Sequence, residues 1–409
     1  MKPINLLFIF AFQVVMFSCT PQPGGVNDEV ALHDLNKYRT ELDSFRHLTA
    51  DPHKLPNIPF FQFGMGNRTK ILYKNGILIN SRTGDTLEKW DVKSEVIIPY
   101  NYMVYLKTNQ GDVLLIKEDS AGVWIFDKSE KRSISGTSAK VILPNFENFR
   151  YPTIMKVLHH EILINIVDGK PLPNLFVYHN PWRRDGAMVA MCLKATGNLD
   201  QIKSWVLSIT DPFDRNNAGE READNLGQTL YLLSLFVDKS NPMVNKILEE
   251  AKKYEFTDTK GTYIKGRSDF HETPVYQTKW MKFGLKQFAL PDKYTIPKVK
   301  DNYSSLFWWD YKSHYVAGTE DANDKKFYPY LGWASDHFHG NLTSPISDRD
   351  YPLTWEIQAS QANYAGMDKI DTTYTSQKIA TPHTWHSAEI FLYLLEKKRI
   401  KYSMTNKYL

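Results

Sequence analysis

Cysteine is almost absent from this chain of 409 residues, which has only Cys19 and Cys192. Cys19 lies at the end of an apolar leader, so a disulfide within the processed monomer is excluded. Cys192 sits in the apolar helical run 187–193 and reads as packing rather than chemistry. An excess of either charge is also missing. Fifty Lys and Arg against 46 Asp and Glu leave a formal charge of +4, with no long basic run, which argues against nucleic acid as a partner. The chain carries no phosphate loop, no dinucleotide glycine fingerprint and no Gly-x-Ser-x-Gly elbow. No cofactor is implied. No fixed repeat period is present either.

The N-terminus is read as a targeting segment. Lys2 supplies a positive end, Ile4 to Phe17 is almost wholly apolar, and Ser18-Cys19 follows. The run is short for a membrane span. Met16-Phe17-Ser18-Cys19 resembles a bacterial lipobox, with Phe17 an imperfect fit. The resemblance implies cleavage before Cys19, lipidation of its thiol and a membrane anchor. Thr20, rather than Asp, after Cys19 points to the outer membrane or cell surface in a cell with two membranes. The expected boundaries are a signal peptide over 1–18, a tether and short helix over 19–50, an antiparallel β-rich domain over 51–148, and a helical domain over 149–409.

Patterning supports that division. Leu32, Leu35, Tyr38 and Leu42 share a helical face. Short apolar runs at 70–74, 77–79, 96–98, 103–106, 113–116 and 123–126 are strand candidates. Asn75-Gly76, Thr83-Gly84, Gln110-Gly111 and Ala121-Gly122 punctuate them, which gives an antiparallel meander over roughly 58–145. Beyond 150, helical runs are expected at 151–167, 186–196, 199–209, 220–238, 241–254, 274–289, 327–339, 352–366 and 383–398, with no strand series among them. A toroid of paired helices fits that length.

Several polar loops open apolar helices. His179-Asn180-Pro181-Trp182-Arg183-Arg184-Asp185-Gly186 places a ring, two guanidiniums and a carboxylate at a helix start. Charges there are hard to bury unpaired. They line a cleft, or they cap the helix beside an ion pair. The loop 211–228 ends in Glu220, Glu222, Asp224, Asn225 and Gln228, with Glu220, Asp224 and Gln228 on one helical face. Ser268-to-Trp280 offers His271, Tyr276, Gln277 and Trp280, with Glu272 or Thr273 as a plain cap before Pro274. Asp336-His337-Phe338-His339 lacks the partner spacing of a zinc helix, so contact with a sugar or a core hydrogen bond is preferred to a metal. Pro352 is read as starting a helix with Glu356 one turn in. Glu356 lies between Trp355 and Ile357, where apolar surroundings favour a raised pKa. Thr381-Pro382-His383-Thr384-Trp385-His386-Ser387-Ala388-Glu389 repeats the theme. An aromatic content of 13% suits sugar binding as well as an ordinary core.

These motifs resemble the six-hairpin glycosidases. The 381–389 stretch looks like the lead-in to the final helix of glucoamylase-type enzymes. Trp182-Arg183-Arg184-Asp185 is similar to their Trp-x-Arg-Asp motif, which holds the terminal sugar. The likeness covers about residues 150–409. It implies a mostly α chain, an (α/α)6 toroid preceded by a smaller antiparallel β-rich domain. It also implies an inverting glycoside hydrolase with a carbohydrate substrate. Two carboxyl groups would flank the bond, about 6.5–9.5 Å apart. The acid is expected among Glu220, Glu222 and Asp224, and the base at Glu356. Trp182, Arg184, Asp185, Asn225, Gln228, His271, Tyr276, Gln277, Trp280, Asp336, His337, Trp355 and Trp385 are the expected sugar contacts. The chain departs from glucoamylases in lacking their paired-Glu acid motif and Glu-Gln base motif, so glucose specificity has no support.

Two other functions use the same residues. A polysaccharide lyase would draw on His179, Asn180, Arg183, Arg184 and His271 to neutralise a uronate and take its proton. A non-catalytic glycan-binding lipoprotein would use the aromatics alone.

Overall fold

The computed structural model describes residues 28–47, 52–127, 130–135, 140–268, 272, 274–297, 346–359 and 361–405. Helix α1, Asp28–Arg46, buries Ala31, Leu35, Tyr38, Leu42 and Phe45, a stripe at helical spacing. An antiparallel sheet follows, of β1 (Phe61–Phe63), β2 (Ile71–Lys74), β3 (Ile77–Asn80) and β4 (Thr86–Lys89) in chain order. A second holds β5 (Val92–Ile98), β6 (Met103–Thr108), β7 (Val113–Glu118), β8 (Val123–Asp127) and β9 (Glu130–Ser135), also in chain order. Asn75 and Gly76 both take positive φ, 48° and 73°, as a tight β2–β3 hairpin requires. Leu72 faces Ile79 and Tyr73 faces Leu78 across it.

A buried ion pair ties the two sheets together. Arg68, in the loop after β1, donates to Glu118 at the end of β7 at 2.7 Å. The Gly64 and Met65 amides bond the same carboxylate. Arg68 also reaches the carbonyls of Asp119 and Ser120. A charge pair this dry persists because its lone pairs and N–H groups are almost all used.

Helix α2, Pro152–Ile164, is the element against which both halves pack. Pro152 suits the first turn, where its missing N–H costs nothing. The Glu41 carboxylate of α1 accepts the next two amides, Thr153 and Ile154, at 2.9 and 3.3 Å. His160 of α2 bonds the carbonyl of Gln62 in β1. A short ribbon, β10 (Ile166–Val167) with β11 (Lys170–Pro171), leads to α3, Arg183–Thr196. Gly197, at φ 76°, closes α3, with Asn198 N–H bonded back to the Leu193 carbonyl. Next come α4 (Lys203–Leu207), α5 (Asp224–Ser234), α6 (Pro242–Ala251), the hairpin β12 (Glu255–Asp258) with β13 (Gly261–Ile264), and α7 (Pro274–Gln287). Past residue 346 lie β14 (Glu356–Ile357), α8 (Thr372–Gln377), β15 (Ile379–Ala380) paired with β14, and α9 (Thr384–Thr405). One apolar cluster runs from Ala31 in α1 to Leu394 in α9.

This is not the expected (α/α)6 toroid. The chain is 38% helix and 21% strand, with sheets of four and five strands in its N-terminal half. The C-terminal section also carries three two-stranded ribbons that the helical reading omits. The clearest reversal is at 352–366. Leu353 N–H and the Thr354 hydroxyl both donate to the buried Glu161 carboxylate of α2, at 2.6 Å each. Those tertiary bonds hold the segment extended, so Glu356 lies on a strand and not one turn into a helix. The helix expected over 220–238 begins only at Asp224, because the Asn216 side chain captures the amides of Ala218 and Glu220 in a turn. The expected helix at 327–339 lies outside the described residues, as do the leader and Cys19.

Helices α5 and α7 meet at backbone distance. A Cβ on Gly227 would stand 2.1 Å from the Trp280 carbonyl carbon. Gly227→Ala therefore forces the pair apart, and a loss of about 3 kcal/mol is expected in urea unfolding. An unchanged midpoint would contradict the crossing.

Candidate active site

The first turn of α3 gathers the carboxylates. Trp182 precedes it in extended backbone, and no side chain of its own caps the helix. A carboxylate from another loop does so instead. Asp214 accepts the Arg183 N–H, and its own amide donates to Asn225 Oδ1 at 3.0 Å. Burial pushes the Asp214 carboxyl up to about 6, against the pull of the Arg183 amide and guanidinium. Acceptors suit this position because the helix dipole and free amides point there.

Arg184 reaches α5. Its Nε donates to Asp224 Oδ2 and its Nη2 to Glu222 Oε2, each at 3.0 Å, with all three side chains nearly dry. Gln228 donates to the same Asp224 oxygen at 2.8 Å, and Asn225 donates to Gln228 at 3.1 Å. Asp224, Asn225 and Gln228 thus form one network that fixes the guanidinium. The guanidinium also lies 5.8 Å from the Trp385 ring centre, a cation–π distance.

Asp185 belongs to a second group. It is 2% exposed. Burial drives its carboxyl well above the usual carboxylate range, the neighbouring Glu356 raises it further, and Arg184 opposes both. Glu356 accepts the Tyr178 hydroxyl. Burial and Glu356 together push that phenol above its ordinary value. His383 Nε2 stands 3.4 Å from the same Glu356 oxygen without the alignment of a hydrogen bond. Burial holds the His383 ring well below its ordinary value, which disfavours the imidazolium that an ion pair with Glu356 would need. Trp182 is half-buried, edge-on to Tyr178 at 4.9 Å. Trp355 packs behind Glu356, stacked on His53 at 4.3 Å.

Some expected contacts stand elsewhere. Glu220 is on the surface, bridged to Arg267 at 3.0 Å. Tyr276, Gln277 and Trp280 are core residues of α7, and Gln277 ties the loop carbonyl of Gly266. His271, Asp336 and His337 lie outside the described residues. Tyr178, Asp214 and His383 join the site without having been singled out. Asp214 and His383 sit inside motifs noted from the sequence, whereas Tyr178 falls one residue before the 179–186 stretch. Among the described residues no group of His, Cys, Asp and Glu could hold a metal. Cys192 is buried in α3, with its thiol pushed well up by burial.

Protein-family models, curated proteins and solved structures yield no match to this chain. The arrangement itself is one carboxylate set bonded to a guanidinium, and a second in which burial and Glu356 push the Asp185 carboxyl well above the usual carboxylate range.

Arg184→Leu removes the cation from between two buried carboxylates. The expected cost is about 3–5 kcal/mol at pH 8. Stranded carboxylates have raised pKa values, so the cost should shrink as pH falls and they take up protons. Urea unfolding at pH 8 and pH 5 checks both parts, and an unchanged midpoint at pH 8 would contradict them.

Proposed function

We propose that the chain is a glycoside hydrolase that cleaves an oligosaccharide between these two carboxyl groups. The observation that carries this reading is the division made by the first turn of α3. On one side stand Glu222 and Asp224, bonded to Arg184. On the other stand Asp185 and Glu356, close enough that each disfavours the other's charge. Two carboxylic groups in contrasting environments are what acid/base cleavage of a glycosidic bond needs.

The roles follow from the protons. The Asp185–Glu356 pair keeps one and supplies it to the leaving oxygen. Glu222 or Asp224 takes a proton from the attacking water on the opposite face, which inverts the anomeric carbon. This moves Glu356 from base, its role in the sequence reading, to the acid side, because the proton-holding Asp185 is its neighbour. Half-buried Trp182 stands beside the carboxylates, with Tyr178 and Trp385 packed around them, and an aromatic ring is a usual partner of a sugar's C–H face. The likeness of 182–185 to a sugar-holding motif, and of 381–389 to the lead-in of the final helix in glucoamylase-type enzymes, adds to the same reading. A lyase is less well supported, because Arg184 is already bonded to two carboxylates and is not offered to a uronate.

Export and anchoring through Cys19 belong to the proposal. No described helix is long and apolar enough to cross a membrane. Labelling with radioactive palmitate in a bacterial host is expected to mark the wild type and not Cys19→Ala. Equal label in both would remove the anchor.

The hydrolase reading is tested with an oligosaccharide panel, scored by reducing ends and by proton NMR of the first anomer released. Glu356→Gln and Glu222→Gln should each lose about a hundredfold to ten-thousandfold in rate, while Glu220→Gln keeps wild-type activity. The new anomer should be inverted. Activity in Glu356→Gln and Glu222→Gln equal to wild type would sink the assignment. Binding without cleavage by the wild type would leave a glycan-binding protein.

A further inference from the structure

Glu161 is fully buried in α2 and takes no part in the chemistry above. Its Oε1 accepts Leu353 N–H at 2.6 Å. Its Oε2 accepts the Thr354 hydroxyl at 2.6 Å and the Ser387 hydroxyl at 3.0 Å. Those donors come from two segments only. Leu353-Thr354 runs directly into Trp355 and Glu356. Ser387 lies in the first turns of α9, beside His383, Trp385 and His386. The two segments are also laced to each other: Thr354 Oγ1 accepts His383 N–H at 3.0 Å, and the Thr381 hydroxyl donates to the Thr354 carbonyl at 2.5 Å. Beyond that knot, Glu356 pairs with Ala380 in the β14–β15 ribbon.

We propose that Glu161 is a positioning residue, a single buried carboxylate that pins the strand carrying Glu356 and the helix start carrying His383 and Trp385 to one point on α2. The reasoning is geometric. A dry carboxylate is costly unless donors satisfy it, and three donors do so here. Burial still pushes Glu161 up to about 7 against those donors. An amide in its place has one acceptor oxygen for three donors and adds two N–H groups with nowhere to go. The Leu353 amide cannot turn away as the hydroxyls can. Its loss releases the segment two residues before Trp355 and three before Glu356. A displacement of about 1 Å at a reacting group costs up to about a hundredfold in rate. The catalytic consequence rests on the hydrolase reading, whereas the positioning itself does not.

The test uses the full chain with Glu161→Gln and Ser387→Ala, each compared with wild type by nitrogen–proton NMR of the indoles. Trp355 and Trp385 resonances are expected to move in both variants, more in Glu161→Gln, while Trp280 at the α5–α7 crossing stays in place. On a glycan that the wild type cleaves, Glu161→Gln should lower kcat about tenfold or more with KM within about twofold. If Glu161→Gln fails to fold, Ser387→Ala, which keeps a good helix former, decides by the same two resonances. Unmoved Trp355 and Trp385 resonances in a folded variant overturn the proposal, and so does an unchanged kcat. A wild type that cleaves no glycan but whose variants shift these indoles leaves the positioning role standing and removes the hydrolase reading.

Discussion

The bond between Arg184 and the paired carboxylates Glu222 and Asp224 is the constraint on which the site depends. A guanidinium and two carboxylates out of water are tolerated only when their hydrogen bonds are made. Gln228 bonds the same Asp224 oxygen as Arg184, Asn225 bonds Gln228, and the Asp214 amide of the preceding loop bonds Asn225. The interaction therefore holds the start of α5 and the end of the 211–223 loop against α3. It also decides what Asp185 does. With Arg184 engaged by α5, its neighbour Asp185 is set against Glu356, and burial and Glu356 push its carboxyl well above the usual carboxylate range. One arginine thus separates two acid environments within a single helical turn.

The fold supports that turn from behind. Helix α2 is clamped at its start by Glu41 of α1 and bonded to β1 through His160. Further along, Glu161 faces α9 and the strand that bears Glu356. The sheets are therefore not an appendage to a helical body. They share a core with it, and their packing reaches the site through one helix. The glycines at the α5–α7 crossing act similarly from the other side, since backbone contact at Gly227 sets the position of the helix that carries Asp224 and Gln228.

Much of this was legible in the chain. Alternating apolar residues and Asn75-Gly76 gave the hairpins, because strand period and turn chemistry are local. The stretch around Trp182–Asp185 stood out because charges at an apolar helix start need partners. Glu222, Asp224, Asn225 and Gln228 were found from their crowding at a helix start. Their use of Arg184 was not, since a contact 38 or 40 residues away leaves no local trace. The helix expected around Glu356 failed for the same reason: Glu161 overrides the local pattern from 192 residues away. Glu220 stands apart from the other carboxylates for a related reason: the helix starts at Asp224, four residues later than the local pattern indicates, and Glu220 pairs with Arg267 on the surface. Helix count and motif likeness suit a toroid, but the four- and five-stranded sheets and the three ribbons exclude it.

The central claim is that burial and Glu356 keep a proton on the Asp185 side while Arg184 engages the other carboxylates. Carbon-13 NMR of the labelled Asp and Glu carboxyl groups, followed from pH 4 to pH 9, reads that proton directly. The account predicts that Asp185 titrates well above an ordinary aspartate. An Asp185 carboxyl that ionises near the usual value of about 4 would contradict it.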